Sequence, residues 1–232
     1  MCGRYVSPDT ASIERAWHIG RTNSNPFPQR WNVLPTSQIP ILRHHPKSDE
    51  LELTEARWGF IPGWWKQPKP PGSAFNARSE EAASKPMWRD AWRQWRCLIP
   101  AAGWYEWEAA ERTDPESGEI KAYKQPHFIY RADRRLVCFG GLVSYRTLAD
   151  GTGGLSCAIV TRDAAPSVRD VHDRMPVILQ ESLFGKWLDP NVVSAAEVQA
   201  MVDEAQSEFQ HHPVTTQLNS AKTDEPDFVN PA

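Results

Sequence analysis

The sequence predicts an α+β fold in one domain, on three observations. Short β-like runs bounded by turn residues outnumber the helical patterns. Strands and helices do not alternate in the βαβ rhythm of a doubly wound sheet, which leaves a mainly antiparallel arrangement. The chain has 232 residues, 40% of them hydrophobic and 24% charged, which suits a domain with a real core. No internal repeat or clean linker divides it, so residues 1–232 read as a single domain with about 220–232 as a tail.

The elements follow in order. Residues 3–6 form a strand that Ser7-Pro8-Asp9 stops. The same three residues then cap a helix over 10–18, with Ile13, Ala16 and Trp17 on one side. Strands are expected at 38–44, an apolar run, and at 51–59, where Leu51 and Leu53 alternate with Glu52 and Thr54. Residues 85–95 read as a helix because Trp88, Trp92 and Trp95 recur at helical spacing. The apolar 97–100 and the aromatic 105–108 are strands, and 112–119, with Asp114-Pro115-Glu116-Ser117-Gly118, is a hairpin loop. Further strands are expected at 127–131, 136–144, 155–161, 177–179 and 214–218, and helices at 181–188 and 195–206, the second rather acidic.

Bulk properties exclude several classes. No run approaches the roughly 20 apolar residues of a membrane helix, and no basic region leading into an apolar stretch marks a secretory signal. The four cysteines (Cys2, Cys97, Cys138, Cys157) are far apart and form no CxxC, which argues against a disulfide framework or structural zinc and for a reducing, cytoplasmic setting. Net charge is −3, yet it is unevenly spread. Between Arg57 and Arg96 basic residues dominate, whereas the segment from Gln180 onward is acidic. Such asymmetry fits one basic face on an acidic protein, or simply two solvated surfaces.

The 11 tryptophans interleave with the basic residues. Aromatic rings beside Lys and Arg suit a groove where bases stack and phosphates are neutralised, although tryptophan is also a core filler. Trp64 and Trp65 differ from the rest. They are adjacent, lie between Pro62-Gly63 and Lys66, and precede Pro68-Lys69-Pro70-Pro71-Gly72. Two consecutive large rings in a proline-rich loop cannot easily both point inward.

Four places carry groups capable of chemistry. Cys2 follows Met1 directly and is small enough for that methionine to be clipped, which would leave a free α-amine and a thiol on one residue. An α-amine titrates at about 7.7–8.0, so part of it is unprotonated at neutral pH and competent to form a Schiff base. A frayed start-codon neighbour is the plain alternative. In Phe75-Asn76-Ala77-Arg78-Ser79-Glu80, an amide and a guanidinium two residues apart share a face if extended, which suits a sugar–phosphate. In Gly103-Trp104-Tyr105-Glu106-Trp107-Glu108, one carboxylate enters an aromatic pocket or stays on the surface between two rings. His172, in Val171-His172-Asp173-Arg174-Met175-Pro176, is a candidate acid/base or part of a salt-bridged corner. No Ser/His/Asp signature, P-loop, dinucleotide fingerprint or HExxH is present.

Taken together the motifs carry a resemblance. Cys2-Gly3-Arg4, Arg30-Trp31-Asn32-Val33-Leu34-Pro35-Thr36, Trp58-Gly59-Phe60-Ile61-Pro62-Gly63-Trp64, Asn76-Ala77-Arg78-Ser79-Glu80, Arg96-Cys97-Leu98-Ile99-Pro100-Ala101, Gly103-Trp104-Tyr105-Glu106-Trp107 and His172-Asp173-Arg174-Met175-Pro176 occur in that order. This ordered set resembles the SRAP family (SOS-response-associated peptidase), the abasic-site processing proteins. Matches continue to His212-Pro213-Val214 and Asn219-Ser220.

The resemblance implies a single α+β domain on a curved, barrel-like, mainly antiparallel β core with a few peripheral helices. It implies a covalent trap for abasic sites in single-stranded DNA, in which Cys2 loses Met1 and forms a thiazolidine with the ring-opened sugar. By that carry-over Asn76 positions the amino terminus and sugar, Glu106 handles protons, and His172 assists sugar opening and imine formation. Arg4, Arg78 and Thr161 would hold phosphates, Trp64 and Trp65 would wedge against bases, and Pro35 and Lys85 would lie along the groove. Expected are no cofactor or metal, no membrane partner, a monomer, and a cytoplasmic protein associated with the nucleoid when on DNA. The chain departs from the family pattern at Trp31, at Leu34 and at Lys222-Thr223-Asp224-Glu225-Pro226, which lacks the usual asparagine before the aspartate.

The alternatives are an N-terminal-nucleophile thiol enzyme, either an autoproteolytic peptidase or a glutamine amidotransferase, and a non-enzymatic single-strand binder. Amidotransferase domains also begin Met-Cys-Gly, but on a four-layered αββα fold, and Gly3-Arg4-Tyr5 does not suit them.

Overall fold

A computed structural model describes residues 2–17, 27–45, 50–67, 71–72, 74–115, 117–147 and 153–232. Its elements are β1 (Arg4–Ser7), α1 (Thr10–Trp17), β2 (Arg30–Val33), β3 (Gln38–His44), β4 (Leu51–Trp58), β5 (Asn76–Arg78), α2 (Ser79–Ala82), α3 (Arg89–Gln94), β6 (Arg96–Ala101) and β7 (Gly103–Thr113). They continue with β8 (Ile120–Tyr130), β9 (Val137–Thr147), β10 (Gly153–Asp163), β11 (Arg174–Pro176), α4 (Phe184–Leu188), α5 (Ala195–Asp203) and β12 (Gln210–Pro213). Single 3₁₀ turns occupy Glu181–Leu183, Thr216–Asn219 and Pro226–Val229.

Five strands close on themselves in the order β10-β4-β3-β6-β9, with β9 pairing back onto β10. Only β4 and β10 run parallel within this barrel; the other neighbours are antiparallel. A second, fully antiparallel sheet has the order β12-β8-β7-β1-β2. The barrel-like α+β domain expected from the sequence is therefore present, with few and short helices.

Most barrel strands are covered on both faces, so β3, β6, β9 and β10 read as apolar runs, whereas β4 alternates. Cys97, Ile99, Phe139, Cys157 and Ile159 pack with Tyr5, Val33 and Trp104 of the second sheet. The intervening Leu98, Cys138, Leu142, Ala158 and Val160 pack under Ile13, Trp92, Trp187, Val198 and Met201 of the helices. Trp58, Trp92, Trp104 and Trp187 are wholly buried. Removing ~200 Å² of an indole from water at ~25 cal/mol per Å² stabilises by up to about 5 kcal/mol each. Gly103 opens β7 because a Cβ there would stand 2.5 Å from the Ile129 carbonyl and 2.6 Å from the Phe128 ring.

Several boundaries differ from the sequence reading. β2 and β5 were missed, being only four and three residues long. The helix expected from 85 begins at Arg89, since Pro86 interrupts its start, and Trp95 ends it half-exposed. The strand placed at 214–218 lies at Gln210–Pro213, on the sheet edge, where Pro213 needs no ladder partner for its nitrogen. The ladder expected at 177–179 lies at Arg174–Pro176, with one further bridge between Phe139 and Ile178. The segment 220–232, read as a tail, packs back on the body. Phe228 is 1% exposed, and Asp224 accepts from the amides of Trp31 and Asn32 at 2.6 and 2.7 Å. His18, the Pro68–Pro70 part of the aromatic loop and Glu116 of the hairpin loop lie outside the described residues.

Candidate active site at the junction of barrel and sheet

Cys2 precedes β1 and is fully buried where the second sheet meets the barrel. Its thiol donates weakly to the Arg4 carbonyl at 3.9 Å. Asn76 reaches it from the barrel side. β5 runs parallel to β10, placing Asn76 opposite Ile159, and Asn76 Nδ2 donates to the Cys2 carbonyl at 2.8 Å. Asn76 Oδ1 is buried without a hydrogen-bond partner. A buried amide oxygen left unpaired costs about 1–3 kcal/mol, which a bound donor would recover.

Glu106 enters from β7, one residue beyond Tyr105, which pairs with Arg4 of β1. In that strand Glu106 is 2% exposed, so the surface alternative is not the one realised. His172 lies between β10 and β11, with Nε2 3.9 Å from Glu106 Oε2. The Arg174 amide donates to His172 Nδ1 at 2.9 Å, which leaves the neutral ring's proton on Nε2, the atom facing Glu106. Asp173 also stands 2.8 Å from Nδ1, but its side chain is 86% exposed and accepts from the ring only when Nδ1 is protonated. The four groups thus converge from β1, β5, β7 and the β10–β11 connection.

Burial sets their charge states. Desolvation lifts Glu106 to about 7, opposed by the positive amino terminus of the chain. Desolvation and the Glu106 charge push the Cys2 thiol well above its ordinary value, so it stays protonated at neutral pH. His172 is shifted down, first by burial and then by the amino-terminal charge, so it is a neutral imidazole at pH 7. A neutral thiol, a neutral imidazole and a carboxyl poised near neutrality form a proton-transfer set, not a thiolate–imidazolium pair.

The candidate DNA-contact residues divide. Arg78 is exposed at the end of β5, opposite Thr161 in register. Thr161 itself is fully buried, with its hydroxyl unpaired and its carbonyl held by Arg174 Nη2 at 3.0 Å. Arg4 is engaged inside the protein: it donates to Asn32 Oδ1 at 3.0 Å and to the Leu218 and Asn219 carbonyls, and lies 5.7 Å from the Trp107 ring. Trp64 is 51% exposed, its ring centroid 5.9 Å from that of the half-buried Trp65. Pro35 is half-buried beside Thr36, whose φ of 76° marks a tight turn. Lys85 is exposed and paired with Glu81 one turn back on the same surface, a contact readily exchanged in water.

Arg174 was not singled out from the sequence. It grips Glu80 in a bidentate pair at 2.9 Å and Asp163, and burial's downward pull on its guanidinium loses to these carboxylates, which raise it. It ties α2, β10 and β11 together beside His172. Its place in the His172-Asp173-Arg174-Met175-Pro176 motif was the available signal.

Known proteins resemble this chain in sequence and fold. The family model described as SOS response associated peptidase (SRAP) matches residues 1–221. The abasic site processing protein YedK of Escherichia coli is 30% identical over the whole of both chains. The abasic site processing protein HMCES of Xenopus tropicalis is 28% identical over 92% of this chain and 68% of its own length. Among solved structures, a Bacteroides thetaiotaomicron protein superposes with a TM-score of 0.75 at 23% identity, covering both chains fully, a likeness of fold. A phage-related protein of Bordetella bronchiseptica has a TM-score of 0.68 at 29% identity, covering 93% of this chain and 95% of that one. The chain belongs to the SOS response associated peptidase (SRAP) family.

Proposed function

We propose that this protein processes abasic sites in single-stranded DNA by capturing them covalently on Cys2 after Met1 is removed. The observation that supports this most is the Asn76 bond to the Cys2 carbonyl at a junction that also buries Glu106 beside His172. The names of the curated relatives support abasic sites as the substrate.

The ring-opened abasic sugar presents C1 as an aldehyde. The α-amine of Cys2 attacks that carbon, and loss of water gives an imine. Glu106, near pH 7 both acceptor and donor, takes the amine proton and returns it to the departing oxygen. His172 Nε2 assists sugar opening at the ring oxygen. The thiol then adds across the C=N bond: sulfur bonds to C1, its proton goes to nitrogen, and a five-membered thiazolidine closes without any redox step. Burial keeps the proton on sulfur at rest, so it must leave sulfur for the imine nitrogen as the C–S bond forms. Asn76 keeps the Cys2 backbone oriented during both steps.

An amidotransferase would bring a four-layered αββα sandwich, and the barrel-plus-sheet architecture does not fit it. The test is incubation of wild type and Cys2→Ala with an oligonucleotide bearing one abasic site, followed by a denaturing gel. A shifted band for wild type alone is expected; no band for wild type refutes the proposal.

A further inference from the structure

Beside the loop that carries Trp64 and Trp65, the barrel surface holds a pocket of about 190 Å³ lined by Gln38, Arg57, Ile61, Arg146, Leu155 and Ser156. Two guanidiniums share it. Arg57 Nη1 donates to the Gly59 carbonyl at 2.7 Å, and Arg146 Nη2 to the Gln67 carbonyl at 2.8 Å. Arg146 is only 9% exposed, and its buried Nε has no hydrogen-bond partner. Among the described residues no carboxylate pairs with either arginine. Two like charges in so small a space, one largely withdrawn from water, are costly unless an anion joins them. The volume equals roughly six water molecules, enough for a tetrahedral oxyanion.

The pocket is built into the same loop as the exposed indoles. Ser156 Oγ accepts from the Ile61 amide at 2.8 Å at one end, and Arg146 holds the Gln67 carbonyl at the other. That loop also lines an apolar groove of about 700 Å³, rimmed by Trp64, Trp95 and Tyr145, each at least half exposed. Aromatic faces beside paired cations are the combination that tracks a single strand. We propose that Arg57 and Arg146 form a backbone-phosphate subsite for the DNA strand that passes over Trp64. The inference rests on the abasic-DNA reading and extends its binding surface beyond Arg4, Arg78 and Thr161.

The test is fluorescence anisotropy with a labelled single strand lacking any abasic site, between 50 and 200 mM salt. A single-strand phosphate contact contributes about 0.7 to the slope of log K against log salt. Arg57→Gln should lower the slope by about that amount, so the same rise in salt costs it about 2.6-fold less affinity than wild type. Arg57→Lys should restore the slope, and Arg135→Gln, whose guanidinium pairs with Glu181, should leave it unchanged. Gln38→Glu, at an exposed position, puts a carboxylate into the pocket and should reproduce the loss without endangering the fold. Unchanged slopes in Arg57→Gln and Gln38→Glu overturn the subsite. A melting rise with inorganic phosphate that Arg57→Gln abolishes, with DNA slopes unchanged, assigns the pocket to a free anion and overturns it as well. Wild-type adduct formation on abasic DNA is read in parallel: its absence sinks the abasic reading, whereas its presence with unchanged slopes sinks the subsite alone.

Discussion

The Glu106→Gln substitution removes a buried charge that the fold carries above neutral pH. In the native state burial raises this carboxyl to about 7, against the opposing pull of the amino-terminal charge. In the unfolded chain a glutamate ionises near 4.3. Below that pH both states hold the proton and the site costs nothing. Between about 4.3 and 7 the native state binds a proton that the unfolded chain has released, so stability falls as pH rises. Above 7 the full penalty remains. Raising the carboxyl from about 4.3 to about 7, at 1.36 kcal/mol for each pH unit, costs about 3–4 kcal/mol. Glutamine never ionises, so Glu106→Gln should match wild type near pH 4.5 and exceed it by up to about 3–4 kcal/mol at pH 8. For a chain of this size that is a melting shift of about 6–16 °C. Calorimetry of both proteins at the two pH values measures it, and comparing the difference cancels the titrating groups that do not interact with Glu106. The variant should also form adduct on the order of 10²–10⁴ times more slowly at pH 7, because its proton carrier is gone. A stability difference that does not grow with pH, or a variant less stable at pH 8, would refute the reasoning.

Three other perturbations follow from the same geometry. Asn76→Ala leaves the Cys2 carbonyl unpaired in a buried site, so it should cost about 1–3 kcal/mol and slow adduct formation; a normal rate at unchanged melting would remove Asn76 from the site. Replacing both Trp64 and Trp65 by alanine should weaken single-strand binding by about 1–3 kcal/mol per lost base stack while sparing the adduct rate at saturating DNA. An equal loss of that rate would count against stacking. Phe228→Ala should lower stability by about 3–5 kcal/mol in urea unfolding, because the ring is 1% exposed; an unchanged midpoint would restore residues 220–232 to the status of a tail.

Most barrel strands were legible in the sequence because being buried on both faces turns them into apolar runs between turn residues, as at β3, β6, β9 and β10. β2 and β5 were not. Their few residues carry no period, and they are held by partners far along the chain: Asp224 on the β2 amides, and β10 beside β5. Asp224 was visible only as an altered family motif, with nothing local to say that it fastens the carboxy-terminal segment to β2. The charge asymmetry was equally legible, but not which cations remain available. Arg4 and Arg174 are engaged within the protein, Lys85 is paired on the surface, and Arg57 and Arg146 have no carboxylate partner among the described residues.

By itself the sequence determined the groups: a cysteine behind Met1, an amide, a carboxyl and an imidazole, in an order specific to one family. Only the tertiary structure decided their state. Glu106 lies between two aromatic residues in any register, and a one-residue slip of β7 would turn it to solvent and return it to an ordinary carboxylate. Its placement 2% exposed near His172 comes from the pairing of β7 with β1 and the meeting of that sheet with the barrel. Desolvation depends on what covers a group, and here the cover comes from segments distant in the chain, so no local pattern could have specified a carboxyl poised near pH 7.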